Sequence, residues 1–225
     1  MQQLTALYVR YTGEEPASIA QIPGAGSNRQ YFRFVGNNGE SIVGVIGTSR
    51  DENHAFIYLD RHFMLRRLPV PRVLAVSDDE LRYLQTDLGH TSLYDAISGG
   101  REAGGRYNQK EQQLLVSAIR ELPNFQMRGA RGLDWNNCYP QPEFDEESVL
   151  FDLNYFKYCF LKATGLDFHE LKLEANFRMF AKDLTAESGE SFLYRDFQAR
   201  NIMLDSDGNP YFIDFQGGRK GPYYY

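Results

Sequence analysis

Apolar and polar positions divide the chain into an alternating first part and a helical second part. Residues 2–12 place Leu4, Leu7, Tyr8 and Tyr11 on one helical face, with Gly13 beyond them as a stop. Strand patterns follow at Ser18–Ile22, Gln30–Val35 and Ser41–Ile46. The last two flank Gly36-Asn37-Asn38-Gly39, a hairpin-turn composition. Asn53–Leu68 predicts a helix, with a stripe of Phe56, Leu59, Phe63 and Leu68, halted by Pro69-Val70-Pro71. Arg72–Val76 and Leu81–Thr86 predict two more strands around Ser77-Asp78-Asp79. Residues 1–86 thus read as a β-rich unit of about five strands with one long helix inserted.

From residue 87 the pattern is mainly helical. Helices are expected at Ser92–Ile97, Gln109–Leu122 (ended by Pro123), Glu146–Thr164 and Asp167–Ala186, with a loop at Gly99–Gly105 and irregular chain over Gly129–Phe144. Short strands return at Phe192–Tyr194, Ile202–Leu204 and Tyr211–Ile213; the turn Ser206-Asp207-Gly208-Asn209 joins the last two. The expected architecture is α+β, in two lobes: residues 1–86, an antiparallel β-sheet lobe with one helix, and residues 87–225, a mainly helical lobe holding a small hairpin, with a hinge near residues 84–89.

Composition narrows the class. At 225 residues the chain buries roughly 70% of its unfolded surface, enough for a core without staples. Aromatics at 14% argue against disorder. A formal charge of −6 disfavours a general nucleic-acid binder. Cys138 and Cys159 make neither a disulfide framework nor a zinc quartet. Among the surrounding aromatics Cys159 reads as a core thiol, and Cys138 as the more accessible of the two. The four histidines, His54, His62, His90 and His169, have no metal spacing. No apolar run approaches 18 residues and no signal-peptide pattern opens the chain, so a cytoplasmic protein without membrane partners is expected.

The chemistry concentrates between Tyr194 and Asp214. Tyr194-Arg195-Asp196-Phe197-Gln198-Ala199-Arg200-Asn201 sets a carboxylate five residues before an amide, in a loop between two short strands. Asp214 follows at the end of the next strand, so the hairpin brings Asn201 and Asp214 to one end. Such oxygens suit magnesium, which takes a few protein oxygens plus phosphate and water. Asp196 lies within reach to accept a proton from a hydroxyl. A base, metal ligands and little covalent work are what phosphoryl transfer requires. The alternative is three ordinary turn residues.

This arrangement resembles the protein-kinase-like superfamily, whose H-R-D-x-x-x-x-N and D-F-G stand here as Y-R-D-F-Q-A-R-N and D-F-Q. Within it the chain is similar to the aminoglycoside phosphotransferase and choline kinase family. Phe212–Pro222 and Leu84–Gly89 are similar to bacterial kinases acting on the anomeric hydroxyl of N-acetylmuramate and N-acetylglucosamine. The resemblance implies an ATP- and magnesium-dependent kinase of a small hydroxylated molecule, most closely an amino sugar. It implies Asp196 as catalytic base and Asn201 and Asp214 as metal ligands. Pro23-Gly24-Ala25-Gly26-Ser27-Asn28-Arg29 is followed by a strand rather than a helix, which excludes a dinucleotide fingerprint. A loop there fits the phosphate-covering hairpin of kinase-like folds, with Gly24, Ala25, Gly26, Ser27 and Arg29 on the nucleotide; a plain hairpin turn is the alternative. Gln85 and Thr86 sit in the connector that meets adenine in the family, and Asp87 either caps the next helix or serves the substrate.

Departures from the family pattern carry information. Tyr194 replaces the motif histidine. Residues 40–50 contain no lysine where the third strand of kinases carries one, leaving Arg29, Arg33 or Arg50 to face the phosphates. The residues after Asp214-Phe215 show no activation segment, which weakens a protein-kinase reading. The chain stops at Pro222-Tyr223-Tyr224-Tyr225, where family members continue with more helices, so the end of the second lobe is expected to be missing. Trp135–Tyr139 pairs aromatics with amides and reads either as a sugar-site wall or as a partly buried loop. A non-catalytic nucleotide-binding module is the competing function.

Overall fold

Five antiparallel strands, β1 (Ser18–Ile22), β2 (Gln30–Val35), β3 (Ser41–Ile46), β4 (Val73–Val76) and β5 (Arg82–Thr86), form one sheet in the order β1-β2-β3-β5-β4. The computed structural model describes residues 1–23, 28–186 and 189–224. The turn expected at residues 36–39 closes the β2–β3 hairpin, with Gly39 at φ 81° and the Gly36 N–H donating to the Glu40 carbonyl at 2.8 Å.

Alternation sorts the two faces of the sheet. Phe32, Phe34 and Leu84 face α1 (Gln2–Thr12) and its Leu4, Leu7 and Tyr8. Gly44 permits that contact: a Cβ there would stand 2.7 Å from the Phe34 ring and 3.0 Å from Leu4. Val43, Val45 and Tyr83 take the other face and meet α2 (Arg50–Leu65). Helix α2 begins three residues before the expected Asn53, because Ser49 and Glu52 make an N-terminal cap in which the Glu52 N–H donates to Ser49 Oγ.

The same core continues into the second part of the chain. Phe56 stacks on Tyr83 and on Phe215, each at 5.0 Å, and Phe63 packs edge-on against Phe125, Phe192 and Phe215. Two short antiparallel pairs lie beneath: β7 (Ile202–Leu204) with β8 (Pro210–Phe212), and β6 (Ser191–Leu193) with β9 (Arg219–Gly221). The last of these strands has no apolar alternation and is formed by its neighbours.

Helical boundaries differ from expectation in instructive ways. α3 (Leu93–Ala96) is followed directly by α4 (Ser98–Glu102) where a loop was expected. There Gly100 lies flush against Tyr107, 2.2 Å from where its Cβ would be. α5 (Gln109–Pro123) does not stop at Pro123 but runs on as a π-helical turn over Asn124–Gly129. Proline cannot donate, and the wider turn swings Phe125 fully into the core. The expected helix 146–164 is α6 (Glu146–Phe156) continued by a π turn and a 3-10 turn to Thr164, and α7 spans Glu170–Thr185.

Both cysteine expectations are reversed. Cys159 lies exposed in the π turn, and its neighbours Tyr155, Tyr158 and Phe160 are 58–66% exposed. Cys138 is buried behind the 3-10 turn Trp135–Asn137, and burial pushes its thiol up to about 12.

Burial also sets one pH response. Asp60, 1% exposed on α2, accepts the Val73 N–H at 3.0 Å, and burial pushes its carboxyl up to about 7 despite that bond and nearby Arg61. Unfolded, the same group titrates near about 4. The folded protein therefore holds a proton that the unfolded chain releases between these values. Stability from this group is complete below pH about 4 and is lost as pH rises through about 7, with a slope of up to about 1.4 kcal/mol per pH unit. The Asp60→Asn variant is expected to show a flatter melting-temperature profile from pH 5 to 7 than the natural chain; parallel profiles would contradict it.

Candidate active site

The hairpin β7–β8 sets the site because its two strands are short and in strict register, with Ile202 opposite Phe212. Asn201 therefore ends one strand's approach where Asp214 leaves the other, and the Ile213 N–H donates to the Asn201 carbonyl at 2.9 Å. The Asn201 Nδ2 donates to Asp214 Oδ2 at 3.2 Å and to the Asp196 carbonyl at 3.1 Å. One amide thus links the three residues singled out by spacing.

Two residues here hold left-handed backbone conformations: Arg195 at φ 67° and Asp214 at φ 66°. Such positions cost about 1–3 kcal/mol each in a non-glycine residue and persist only where surrounding contacts impose them. Around Asp214 those contacts are evident. The buried Tyr194 hydroxyl donates to the Ile213 carbonyl at 2.9 Å, and Phe215 is fully buried beneath. Tyr194, at the motif histidine's place, is thus a brace of the loop. Arg195 donates from Nη2 to both oxygens of Asp152 on α6 at 3.0 Å, which ties the loop to that helix.

Partial burial and the neighbouring Asp214 charge raise the Asp196 carboxyl above the ordinary range, with Arg195 opposing. Asp196 stays open to solvent, and its Oδ2 stands 3.8 Å from where a Cβ on Gly217 would be.

Asp214 and Asn201 border a cleft of about 350 Å³ between the sheet and the hairpin. Arg29, Gln85 and Thr86 line it too, together with Tyr31, Val43 and Gln216. Gly24, Ala25, Gly26 and Ser27 lie outside the described residues. Trp135 packs on the main core and is not among the cleft residues. Asp87 caps no helix: it receives Arg33, the Ser41 hydroxyl at 2.7 Å and the Gly89 N–H at 2.9 Å. Burial alone would raise its carboxyl, but these donors outweigh burial and hold it below the usual range.

Sequence reasoning missed Glu52 and Gln216. Gln216 Nε2 donates to Asp214 Oδ1 at 2.7 Å and lies 3.4 Å from Glu52 Oε1. A Ser-x-x-Glu cap was the available signal for Glu52; for Gln216 it was the third position of D-F-Q, where the motif carries glycine.

The donor set fits a magnesium ion. No cluster of three or more His, Cys, Asp or Glu side chains able to hold a metal exists among the described residues. One carboxylate and one amide oxygen are nonetheless what magnesium takes when phosphates and water complete its shell. To ligate it, Asn201 must present Oδ1 in place of the Nδ2 now turned to Asp214.

Residues 18–225 match the sequence model of a phosphotransferase enzyme family. An N-acetylmuramate/N-acetylglucosamine kinase of Pseudomonas aeruginosa is 25% identical over 214 residues, 93% of this chain and 58% of that protein. The chain thus spans a little over half the length of this curated relative. Among solved structures, choline kinase LicA of Streptococcus pneumoniae superposes with TM-score 0.60 at 13% identity, covering 99% of this chain and 71% of that one. Spectinomycin phosphotransferase APH(9)-Ia, solved with ADP and spectinomycin, gives 0.59 at 12% identity, covering 99% and 70%. The protein-kinase-like α+β fold is shared with both.

Proposed function

This chain belongs to the phosphotransferase enzyme family, and from that premise we propose that it transfers the γ-phosphoryl group of ATP to a hydroxyl of a small molecule, an amino sugar by preference. The observation that carries the reading is the Asn201 amide, bonded at once to the Asp196 carbonyl and the Asp214 carboxylate. It ties the backbone of the proton acceptor's loop to a cation ligand, which keeps the two close together before substrate arrives. Asp196 orients the acceptor hydroxyl and takes its proton. Asn201 and Asp214 would hold magnesium, which neutralises charge on the transferring phosphates when bound. Arg29, Gln85 and Thr86 border the nucleotide's cleft, with the 24–27 loop as its proposed cover. We divide the chain into a nucleotide lobe, 1–86, and a helical lobe, 87–225. No described helix is long and apolar enough to cross a membrane; we propose a cytoplasmic enzyme.

The amino-sugar preference is supported by the Pseudomonas relative's name and the Phe212–Pro222 segment. It is tested on the natural gene product by ATP turnover with N-acetylglucosamine, N-acetylmuramate, aminoglycosides, choline and a Ser/Thr/Tyr peptide, with and without magnesium. Magnesium-dependent turnover of an N-acetylated amino sugar is the expected result, with none on peptide. Choline or an aminoglycoside as sole acceptor would keep the reaction and overturn the substrate. Nucleotide binding without turnover of any acceptor would favour the competing reading, a non-catalytic nucleotide-binding module, which the absent strand-three lysine supports.

A further inference from the structure

Three arginines stand near the place of the missing strand-three lysine, and the structure separates them. Arg33 is committed to Asp87, the Gly89 carbonyl at 2.8 Å and His90 at 2.8 Å. Arg50 pairs with Glu80 at the surface, 68% exposed, and is not a cleft residue. Arg29 and Arg33 both line the cleft, and Arg29 is the more deeply buried, its side chain 3% exposed against 15% for Arg33. Its Nη2 lies 3.2 Å from Glu52 Oε1 and 3.3 Å from the Glu52 carbonyl, and the guanidinium packs 5.7 Å from the Phe56 ring centre.

The pair does not end at Glu52. The same Glu52 Oε1 is 3.4 Å from Gln216 Nε2, which donates at 2.7 Å to Asp214 Oδ1. Gln216 is 8% exposed, and its Oε1 has no hydrogen-bond partner among the described residues. A buried acceptor left unpaired is costly, so it suits a site in which a ligand brings a donor.

We propose that Arg29, Glu52 and Gln216 together replace the strand-three lysine. Glu52 on α2 clamps a guanidinium carried at the start of β2, where it receives the nucleotide phosphates. Gln216, in the place of the motif glycine, ties the clamp to Asp214. Phosphate cation and metal ligand are thereby set as one unit, with Gln216 as a positioning residue. Arginine is suited to this role because its planar fork holds a carboxylate and a phosphate at once.

The inference rests on the nucleotide reading of the cleft, and binding separates the two. Affinities for ADP and for adenosine are measured by calorimetry, with and without magnesium. Arg29→Gln is expected to weaken ADP by about 10- to 100-fold, the scale of a charge-assisted contact, and to leave adenosine within about twofold. Gln216→Gly is expected to weaken metal-free ADP binding less than Arg29→Gln does and to remove most of the gain from magnesium. Combined, the two should cost less than the sum of their separate effects. If loss of Arg29 leaves a lone buried Glu52 and the variant unfolds, Arg29→Gln with Glu52→Gln removes both charges and should show the same selective loss of ADP. Natural protein that binds neither ADP nor adenosine overturns the nucleotide reading itself. Natural binding with unaltered ADP affinity in Arg29→Gln, or with fully additive variants, overturns this inference alone.

Discussion

Replacing Asp214 with alanine should abolish the magnesium dependence of nucleotide binding and reduce turnover by roughly 10³-fold, the upper scale for removing one preorganised electrostatic group from a transition state. Two features make the effect large. Asp214 supplies the only carboxylate of the proposed ligand pair, so no neighbour restores its charge. It also receives Asn201 and Gln216, so its loss frees the amide that locates Asp196 and the glutamine that ties in Glu52. Alanine at φ 66° adds backbone strain of its own. Asp214→Asn separates the causes: asparagine tolerates the left-handed region and can still accept from Gln216, yet carries no charge. Both variants should lose the magnesium response, with Asp214→Asn melting close to the natural chain. An Asp214→Asn protein with an unchanged magnesium response would remove Asp214 as the ligand.

What was legible in the chain was local. Asp196, Asn201 and Asp214 fall within one hairpin, so strand register converts their spacing into proximity. The five-strand sheet was equally readable, because period-two alternation and a Gly-Asn-Asn-Gly turn leave little choice of face. The rest depends on partners far along the chain. Gln216 and Glu52 are 164 residues apart, and of the three arginines two line the cleft, Arg33 held there by Asp87, while Glu80 holds Arg50 at the surface. Asp87 looked like a helix cap because its partner Arg33 is 54 residues away. The cysteines misled for a related reason. Aromatic neighbours imply a core only if another element covers them. Among the described residues nothing covers the α6–α7 face, where Phe151, Tyr155, Leu171 and Met179 are 60–77% exposed.

Asp196→Asn tests the chemistry itself. The change preserves shape and hydrogen-bonding reach but removes the proton-accepting carboxylate, and general-base positioning contributes about 10²–10⁴-fold in rate. Turnover should fall by roughly that range, while nucleotide affinity changes little, since Asn201 bonds to the Asp196 backbone carbonyl rather than to its side chain. A second signature comes from titration. Burial and the Asp214 charge raise the Asp196 carboxyl above its ordinary range. A base must be ionised to accept a proton, so activity should show an acid limb, rising with pH as the Asp196 carboxyl ionises. The limb should disappear in Asp196→Asn. Tyr194→Phe is the contrasting variant: it removes the hydroxyl that holds the Ile213 carbonyl at 2.9 Å and leaves the carboxylate in place. It should cost about 0.5–1.5 kcal/mol of stability for the lost hydrogen bond to a part-buried carbonyl, with a much smaller loss of turnover and the acid limb retained. Equal losses in the two variants, or loss of nucleotide binding in Asp196→Asn, would make Asp196 a structural residue and assign the base to another group.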